Sequence, residues 1–490
     1  MPSVDVFNAV KRLAGRGAAR TEADVQADLY LVLTSGSLAL DPGDVVRLEQ
    51  QVGDGTRRRL DVEVGHCVVE VKKDLRPTGL RADAEAQLAG YVSAQTERLG
   101  TRYVGVLTDG TAWYLYRLSG PGLEQVAELV LSETAPDADR LLVWLESILA
   151  TREHVTPVPD EIDRRLGAAS PAHQLDHASL LALYRAGEAV PEVRLKRDLW
   201  AKLLRTAFGT SFTDDERLFI DHTLLVLTAE IIAHAVVGFD ITPAGGLTPT
   251  ALARGTGFAN AQIYGVVEAD FFDWVLEVPG GPGFVTELAR RVARFDWSHV
   301  EHDVLKTLYE SVISTDDRAS LGEYYTPDWL ADRVVAATVT APLTTRVLDP
   351  ACGSGTFVFH AARAFLLAAD AAGVPNGEAV LALTQHVYGL DVHPVAVTLA
   401  RVTYLLAIGK ARLAAPDRGP VAVPVYLGDA VQWEQRRDLL SDADKVTIST
   451  AGSDLVSSGG GTLFGDDLVH PRRSPARRRR LRPARHRDGR

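Results

Sequence analysis

The spacing of apolar positions changes along the chain, and the changes divide it. In the first 150 residues helical and strand patterns alternate. Thr21-Glu22-Ala23-Asp24 has the form of a capping box, and Val25, Leu29, Val32 and Leu33 then recur on one helical face. Leu60 to Val64 alternates apolar and acidic residues, Val68 to Val71 is mostly β-branched, and Gly65-His66 between them suits a turn. Tyr103 to Thr108 and Ala112 to Tyr116 predict a second hairpin across Asp109-Gly110, a strong turn dipeptide. Thr156-Pro157-Val158-Pro159 reads as a linker. Residues 161–310 are patterned mainly as helices, with Leu218 to Val237 apolar on most faces. From about 311 to 440 the order becomes helix, strand, glycine-rich turn, helix, strand, helix, strand, which indicates a parallel α/β sheet. Beyond Ser457 the periodicity is lost.

The expectation is an α/β chain in four parts: a mixed domain over 1–155, a helical connector over 156–305, an incomplete parallel α/β region over 306–457, and a disordered Arg-rich tail over 458–490. The connector would link domains or help to hold DNA. Hydrophobic residues at 46% and charged residues at 24% fit a globular chain. No uninterrupted apolar run has the ~18–20 residues of a membrane span, so no membrane partner is expected. Cys67 and Cys352 fall in separate predicted domains without metal-like spacing, and a reducing cytoplasm is the expected setting. The formal charge of −12 conceals ten Arg and one Asp in residues 471–490 and a strongly acidic body. Such a body does not favour non-specific DNA binding, so contact with DNA would need local basic patches.

Asp61 lies on one strand of the first hairpin and Glu70 on the other, with Lys72 on the face of Glu70. Two close carboxylates repel unless a hard cation such as Mg²⁺ lies between them, and a lysine beside them can stabilise charge that builds on a phosphate. The set Leu60-Asp61 and Glu70-Val71-Lys72 resembles the PD-(D/E)xK nucleases. That resemblance implies a nuclease-like domain in which Asp61 and Glu70 hold Mg²⁺ and Asp61, Glu70 and Lys72 act in hydrolysis. It also draws in Glu22 on the preceding helix and Gln87, one turn before Tyr91, on the following one. Glu63 shares the face of Asp61 and is a reserve candidate for the metal. The bland alternative is a half-exposed hairpin whose charges face water.

Val347-Leu348-Asp349-Pro350-Ala351-Cys352-Gly353-Ser354-Gly355-Thr356-Phe357 ends a strand, turns tightly and opens an apolar helix. Glycines there let a ligand approach the backbone at the carboxyl end of a strand. The spelling resembles motif I of N6-adenine DNA methyltransferases. Leu321-Gly322-Glu323-Tyr324-Tyr325-Thr326-Pro327 resembles motif X of that family, Tyr388-Gly389-Leu390-Asp391 its next strand end, and Leu427-Gly428-Asp429-Ala430 its motif III. The resemblance implies a partial Rossmann-like domain that binds S-adenosylmethionine (SAM). It assigns Tyr325, Thr326, Pro327, Asp349, Ala351, Gly353 and Gly355 to the cofactor, Asp391 to the ribose hydroxyls and Asp429 to the adenine amino group. His393 reads as a capping or surface residue.

The family's Asn-Pro-Pro-Tyr-type element does not occur; Asn8, Asn260 and Asn376 are the asparagines. Without such an element to polarise a flipped adenine, this polypeptide is expected not to transfer a methyl group. With 44 Arg against eight Lys, the ending reads either as a truncated or shifted frame or as a basic tail that binds nucleic acid. The order of domains resembles single-chain restriction-modification enzymes of the type IIG sort, which act on DNA. The alternatives are a SAM- or DNA-binding subunit completed by a separately encoded polypeptide, and a non-functional remnant.

Overall fold

The capping box at Thr21 forms: its hydroxyl accepts from the Asp24 amide, and the Asp24 carboxylate accepts from the Thr21 amide at 2.8 Å. In the computed structural model, which describes residues 4–430 apart from short stretches (39–45, 52–58, 150–154 and 321–324 are the longest), this helix opens the N-terminal domain. Residues 431–490, including the expected tail, lie outside the described residues.

The N-terminal domain holds helices α1 (Val4–Ala14), α2 (Glu22–Thr34), α3 (Leu80–Leu99) and α4 (Ala138–Leu149) and strands β1 (Arg47–Gln51), β2 (Arg59–Val64), β3 (Cys67–Val71), β4 (Val104–Thr108), β5 (Ala112–Ser119) and β6 (Gly122–Val130). The six strands form one sheet in sequence order, antiparallel throughout except that β3 and β4 run parallel. The parallel step requires a crossover, and α3 supplies it. Both predicted hairpins are present. Gly65 and Gly110 take φ of 54° and 82° at their turns, and the Asp109 carboxylate accepts from the amides of Thr111 and Ala112. Apolar cores lie on each face, one around Val69, Val106 and Trp113, the other around Val68, Leu88 and Tyr91.

The following segment is helical: α5 (Pro159–Leu166), α6 (Pro171–Gly187), α7 (Pro191–Phe208), α8 (Glu216–Val237), α9 (Pro249–Arg254) and α10 (Gly281–Val292), with a short strand β7 (Ile263–Tyr264). Asp215 caps the start of α8, and Gly238 ends it with φ of 103°. Between these caps the helix is apolar on nearly all sides, and its residues are almost all buried. By length and hydropathy α8 could cross a membrane, yet 89% of its most apolar window is buried inside the protein. A helix apolar all round needs partners all round.

One partner is α16 of the last region. That region contains α11 (Val304–Val312), α12 (Thr315–Ser320), α13 (Asp328–Thr338), β8 (Val347–Asp349), α14 (Thr356–Ala371), α15 (Asn376–Leu383), β9 (Val387–Asp391), α16 (Pro394–Ile408), α17 (Lys410–Leu413), β10 (Val421–Ala422) and β11 (Val425–Leu427). Strands β8, β9 and β11 form a parallel sheet in the order β11-β9-β8, and β10 pairs with β7 of the helical segment. One apolar core runs without a break from Val155 through α8 to Val425. The chain is therefore a mixed α/β protein in which the helical segment and the parallel sheet are packed as one body.

Buried histidines mark this body. His173, His234 and His393 are buried and their pKa values fall to about 4, chiefly through desolvation of the charged ring. An unfolded chain protonates these rings near pH 6.5 while the folded chain does not, so each contributes stability present above pH 6.5 and lost as pH falls toward 4. A ring shifted that far is worth about 3 kcal/mol over the window. Denaturant unfolding at pH 7 and pH 4.5 should show a smaller loss of stability in His234→Gln than in the unsubstituted chain; equal losses would mean that His234 is protonated when folded.

Candidate functional site

The first cluster is set by sheet register. β2 and β3 pair through Val62↔Val69 and Val64↔Cys67, and continuing that register puts Asp61 opposite Glu70 on one face. Asp61 is fixed from two sides: Oδ2 accepts from the Val71 amide and Oδ1 from Gln26 Nε2 of α2, both at 2.8 Å. Glu70 is fully buried; Oε1 lies 2.5 Å from Lys72 Nζ, and Oε2 has no hydrogen-bond partner among the described residues. Burial, with the nearby charge of Asp61, raises the Glu70 pKa to about 7. Desolvation alone would lower the Lys72 pKa, but its hydrogen bond and charge pairing with Glu70 raise it.

Glu22 joins at longer range, with Oε1 4.0 Å from Lys72 Nζ, and its carboxyl is raised mainly by burial. Gln87 is exposed, and its amide donates to Tyr91 OH at 2.8 Å rather than to the carboxylates. Glu63 is buried and accepts from Tyr103 OH at 3.0 Å and from Gln95. Among the described residues no group of three or more acidic, His or Cys side chains gathers as a metal cage. A pair fits a hard cation nonetheless, since Mg²⁺ keeps most of its waters and uses one or two carboxylates. The buried, unpartnered Oε2 of Glu70 facing a second carboxylate is the feature such an ion would relieve.

The second cluster sits where β8, β9 and β11 end. Asp349 closes β8, Asp391 closes β9, and Leu427, paired with Asp391, closes β11 two residues before Asp429. Asp391 ties these ends together: Oδ2 accepts from the Gly353 amide and Oδ1 from the His393 amide, both at 2.8 Å, while its carbonyl accepts from Gly428. A carboxylate has about four lone-pair positions, so two remain for hydroxyl donors. Asp349 accepts from the Ala351 amide at 3.2 Å; burial, and then Asp391, raise its pKa.

Gly353 and Gly355 have φ of 54° and 99°. A Cβ at Gly355 would come within 3.1 Å of the Ala400 backbone in α16, so both the turn and the helix contact require glycine. Tyr325 packs on Tyr309 and lies over Gly353, the Thr326 carbonyl accepts from Lys306 Nζ at 2.7 Å, and Pro327 precedes α13. Leu321 to Tyr324 lie outside the described residues. His393 is buried and caps α16 through Nδ1, with Val395 and Ala396 amides donating to it.

Asp303 escaped the sequence reading. It caps α11, is 3% exposed, and accepts from Thr356 Oγ1 at 2.7 Å, from Ser354 Oγ at 3.3 Å and from Thr403 Oγ1 at 3.5 Å. It thereby joins α11, the glycine-rich turn and α16. Its partners lie 51, 53 and 100 residues away, so no local pattern marks it.

A parallel sheet with a glycine-rich turn after one strand and acids after the next two is the framework of nucleotide-type cofactor binding in open α/β proteins. More narrowly, residues 300–412 match the family model described as N-6 DNA Methylase. No curated protein sequence matches the chain. Among solved structures, it is similar to a DrdV–DNA complex (17% identity, TM-score 0.30, 88% of this chain and 40% of that chain). It is also similar to the type IIG restriction endonuclease BpuSI (12%, 0.23, 87% and 43%). A third is a nuclease-deletion mutant of the type ISP restriction-modification enzyme LlaGI with a DNA substrate mimic (11%, 0.33, 62% and 23%). The chain spans less than half the length of each of these proteins.

Removing the Asp303 carboxylate strands three hydroxyls and the Lys306 amide in a buried place. Asp303→Ala should cost about 2–4 kcal/mol in chemical unfolding, and Asp303→Asn, which keeps one acceptor oxygen, less. Equal stability of Asp303→Ala and the parent would remove this carboxylate as the link between α11 and the turn.

Proposed function

We propose that this chain is a component of a DNA restriction-modification system, in which a SAM-dependent adenine-N6 DNA methyltransferase framework follows an N-terminal Mg²⁺-dependent DNA endonuclease domain. One observation carries the first half: Gly353 and Asp391 are joined inside the stretch that matches the methylase model, and Asp429, beyond that stretch, follows the strand paired with Asp391 at the same end of the sheet. SAM, when bound, supplies the methyl group. Asp391 would accept the ribose hydroxyls, Asp429 the adenine amino group, and Tyr325 over Gly353 would bound the methionine end.

The endonuclease half rests on Asp61, Glu70 and Lys72. Asp61 and Glu70 would hold a divalent cation, which supplies Lewis-acid stabilisation of a phosphodiester when present. Lys72 would orient a water or meet charge developing on the scissile phosphate, and Glu22 would hold Lys72 from its outer side. DNA is the expected partner of both halves. The Asn-Pro-Pro-Tyr element that would hold a target adenine is not among these 490 residues. A second reading is that this chain supplies cofactor and DNA binding and a separate polypeptide completes catalysis.

Calorimetry should detect SAM binding to the folded chain, weakened at least about tenfold, or 1.4 kcal/mol, by Asp391→Ala. Circular dichroism must show both proteins folded, because Asp391 also holds the Gly353 turn; equal affinities would take Asp391 out of the site. Nicking of plasmid DNA should require Mg²⁺ or Mn²⁺ and disappear in Lys72→Ala, whereas cleavage that persists in EDTA would exclude the metal-dependent reading.

A further inference from the structure

A cavity of about 560 Å³ lies between the N-terminal domain and helices α6 and α10, and none of the residues assigned above lines it. Its lining includes the apolar Leu118, Ile148, Leu183 and Phe284 and the cationic Arg102, Arg117, Arg290 and Arg291, with Glu287 beside them. In an acidic chain such a gathering of guanidinium groups stands out.

The carboxylates around it do not use up its donors. Arg291 is paired in two-point fashion with the buried Asp176, Nε to Oδ2 at 2.8 Å. Arg290 donates to Glu287 at 2.9 Å, and Arg117 reaches Glu124 and the Leu118 carbonyl. The Nε atoms of Arg117 and Arg290 are nevertheless buried without a hydrogen-bond partner, and Arg117 as a whole is 7% exposed. Arg102 makes no ion pair with any described residue. It is exposed, and the surrounding protein, with the charges of Arg117 and Arg291, lowers its pKa to about 10. It remains charged at neutral pH. Like charges gathered around one cavity favour an anion between them, and planar guanidinium groups match phosphate oxygens in pairs.

We infer that this cavity binds a phosphate-bearing small molecule of nucleotide size, its phosphates on Arg102, Arg117 and Arg290 and its base against the apolar side chains. The volume falls in the range of small-molecule sites. Gly65 and His66, which close the β2–β3 hairpin, line the same cavity, and His66 Nδ1 lies 3.9 Å from Glu287 of α10. A ligand there would clamp the hairpin that carries Asp61 and Glu70 to the helical segment, independently of the cofactor reading given above.

The test uses the full chain in phosphate-free buffer with EDTA. ADP should bind by calorimetry with a Kd below about 1 mM and raise the melting temperature, and adenosine should do neither. Arg102→Gln breaks no ion pair, so it should keep the ligand-free melting temperature and weaken ADP at least about tenfold; Arg290→Gln should weaken it similarly. Saturating S-adenosylhomocysteine should leave ADP binding unchanged, which separates this cavity from the cofactor pocket. Absence of ADP binding by the folded chain, or equal binding by both variants, overturns the inference. Pyrophosphate binding as tightly as ADP would overturn the assignment of a base to the apolar side chains. Short duplex DNA, but not ADP, losing affinity in Arg102→Gln would overturn the small-molecule assignment in favour of a DNA backbone.

Discussion

Helix α8 is the constraint on which the larger part of the molecule depends. It offers no polar face, so every side must be covered, and the covering comes from α6, α9, α10 and α11 and from α16 behind the parallel sheet. Several of its buried polar residues find partners within that packing. The Asp221 carboxylate meets His177 at 3.3 Å, His222 Nδ1 accepts from the Trp200 indole, and Thr223 accepts from Trp274. Burial this complete leaves little room to slide, because native interiors are close-packed and a shift of one helix is felt by all its neighbours. The last turn of α7 and the start of α16 meet around Phe208, His222 and His393, and His393 follows Asp391 by two residues. The position of Asp391 is thus inherited from the helical segment.

The two clusters obtain their chemistry from opposite treatments of a buried carboxylate. Asp303 is surrounded by donors, from Thr356, Ser354, Thr403 and the Lys306 amide, and it works as a structural tie. Glu70 has one donor, Lys72, and a free oxygen beside Asp61, and its pKa rises to about 7. A carboxylate that is satisfied rigidifies a fold, while one left partly unsatisfied stores an affinity for a proton or a cation. That difference, more than the residue type, separates the structural acid from the candidate ligand.

How much of this the sequence discloses depends on how local each interaction is. Asp61, Glu70 and Lys72 are legible because a period of two and a two-residue turn determine their juxtaposition. Gly353, Gly355 and Asp391 are legible because each sits at a strand end that apolar runs announce. Gln87 shows the limit of the same method: its helical position can be read, but its bond to Tyr91 depends on rotamers that spacing does not specify. Asp303 lies at the other extreme, since its meaning comes from partners up to 100 residues away. Strand β6 is obscure for another reason. It is an edge strand whose Gly-Leu-Glu-Gln start is half exposed, so the alternation that marks a buried strand is diluted.

The join between the N-terminal domain and the rest follows the same logic of burial and charge. Leu175 of α6 enters the N-terminal core there, and arginines add directed bonds. Arg165 pairs with Glu146 of α4, and the fully buried Arg294 donates to the Glu146 carbonyl at 2.6 Å, while Val155 and Phe295 form a single β-bridge. Burial drives the Arg294 pKa down to about 9, which marks the cost of placing a cation there. Polar joins of this kind fix orientation through directional bonds while contributing less net stability than an apolar core of equal area. They also respond to any anion that alters the local charge balance. The join is therefore held largely by directed charge pairs and single bonds, whereas the α8 core is held by close packing on every side.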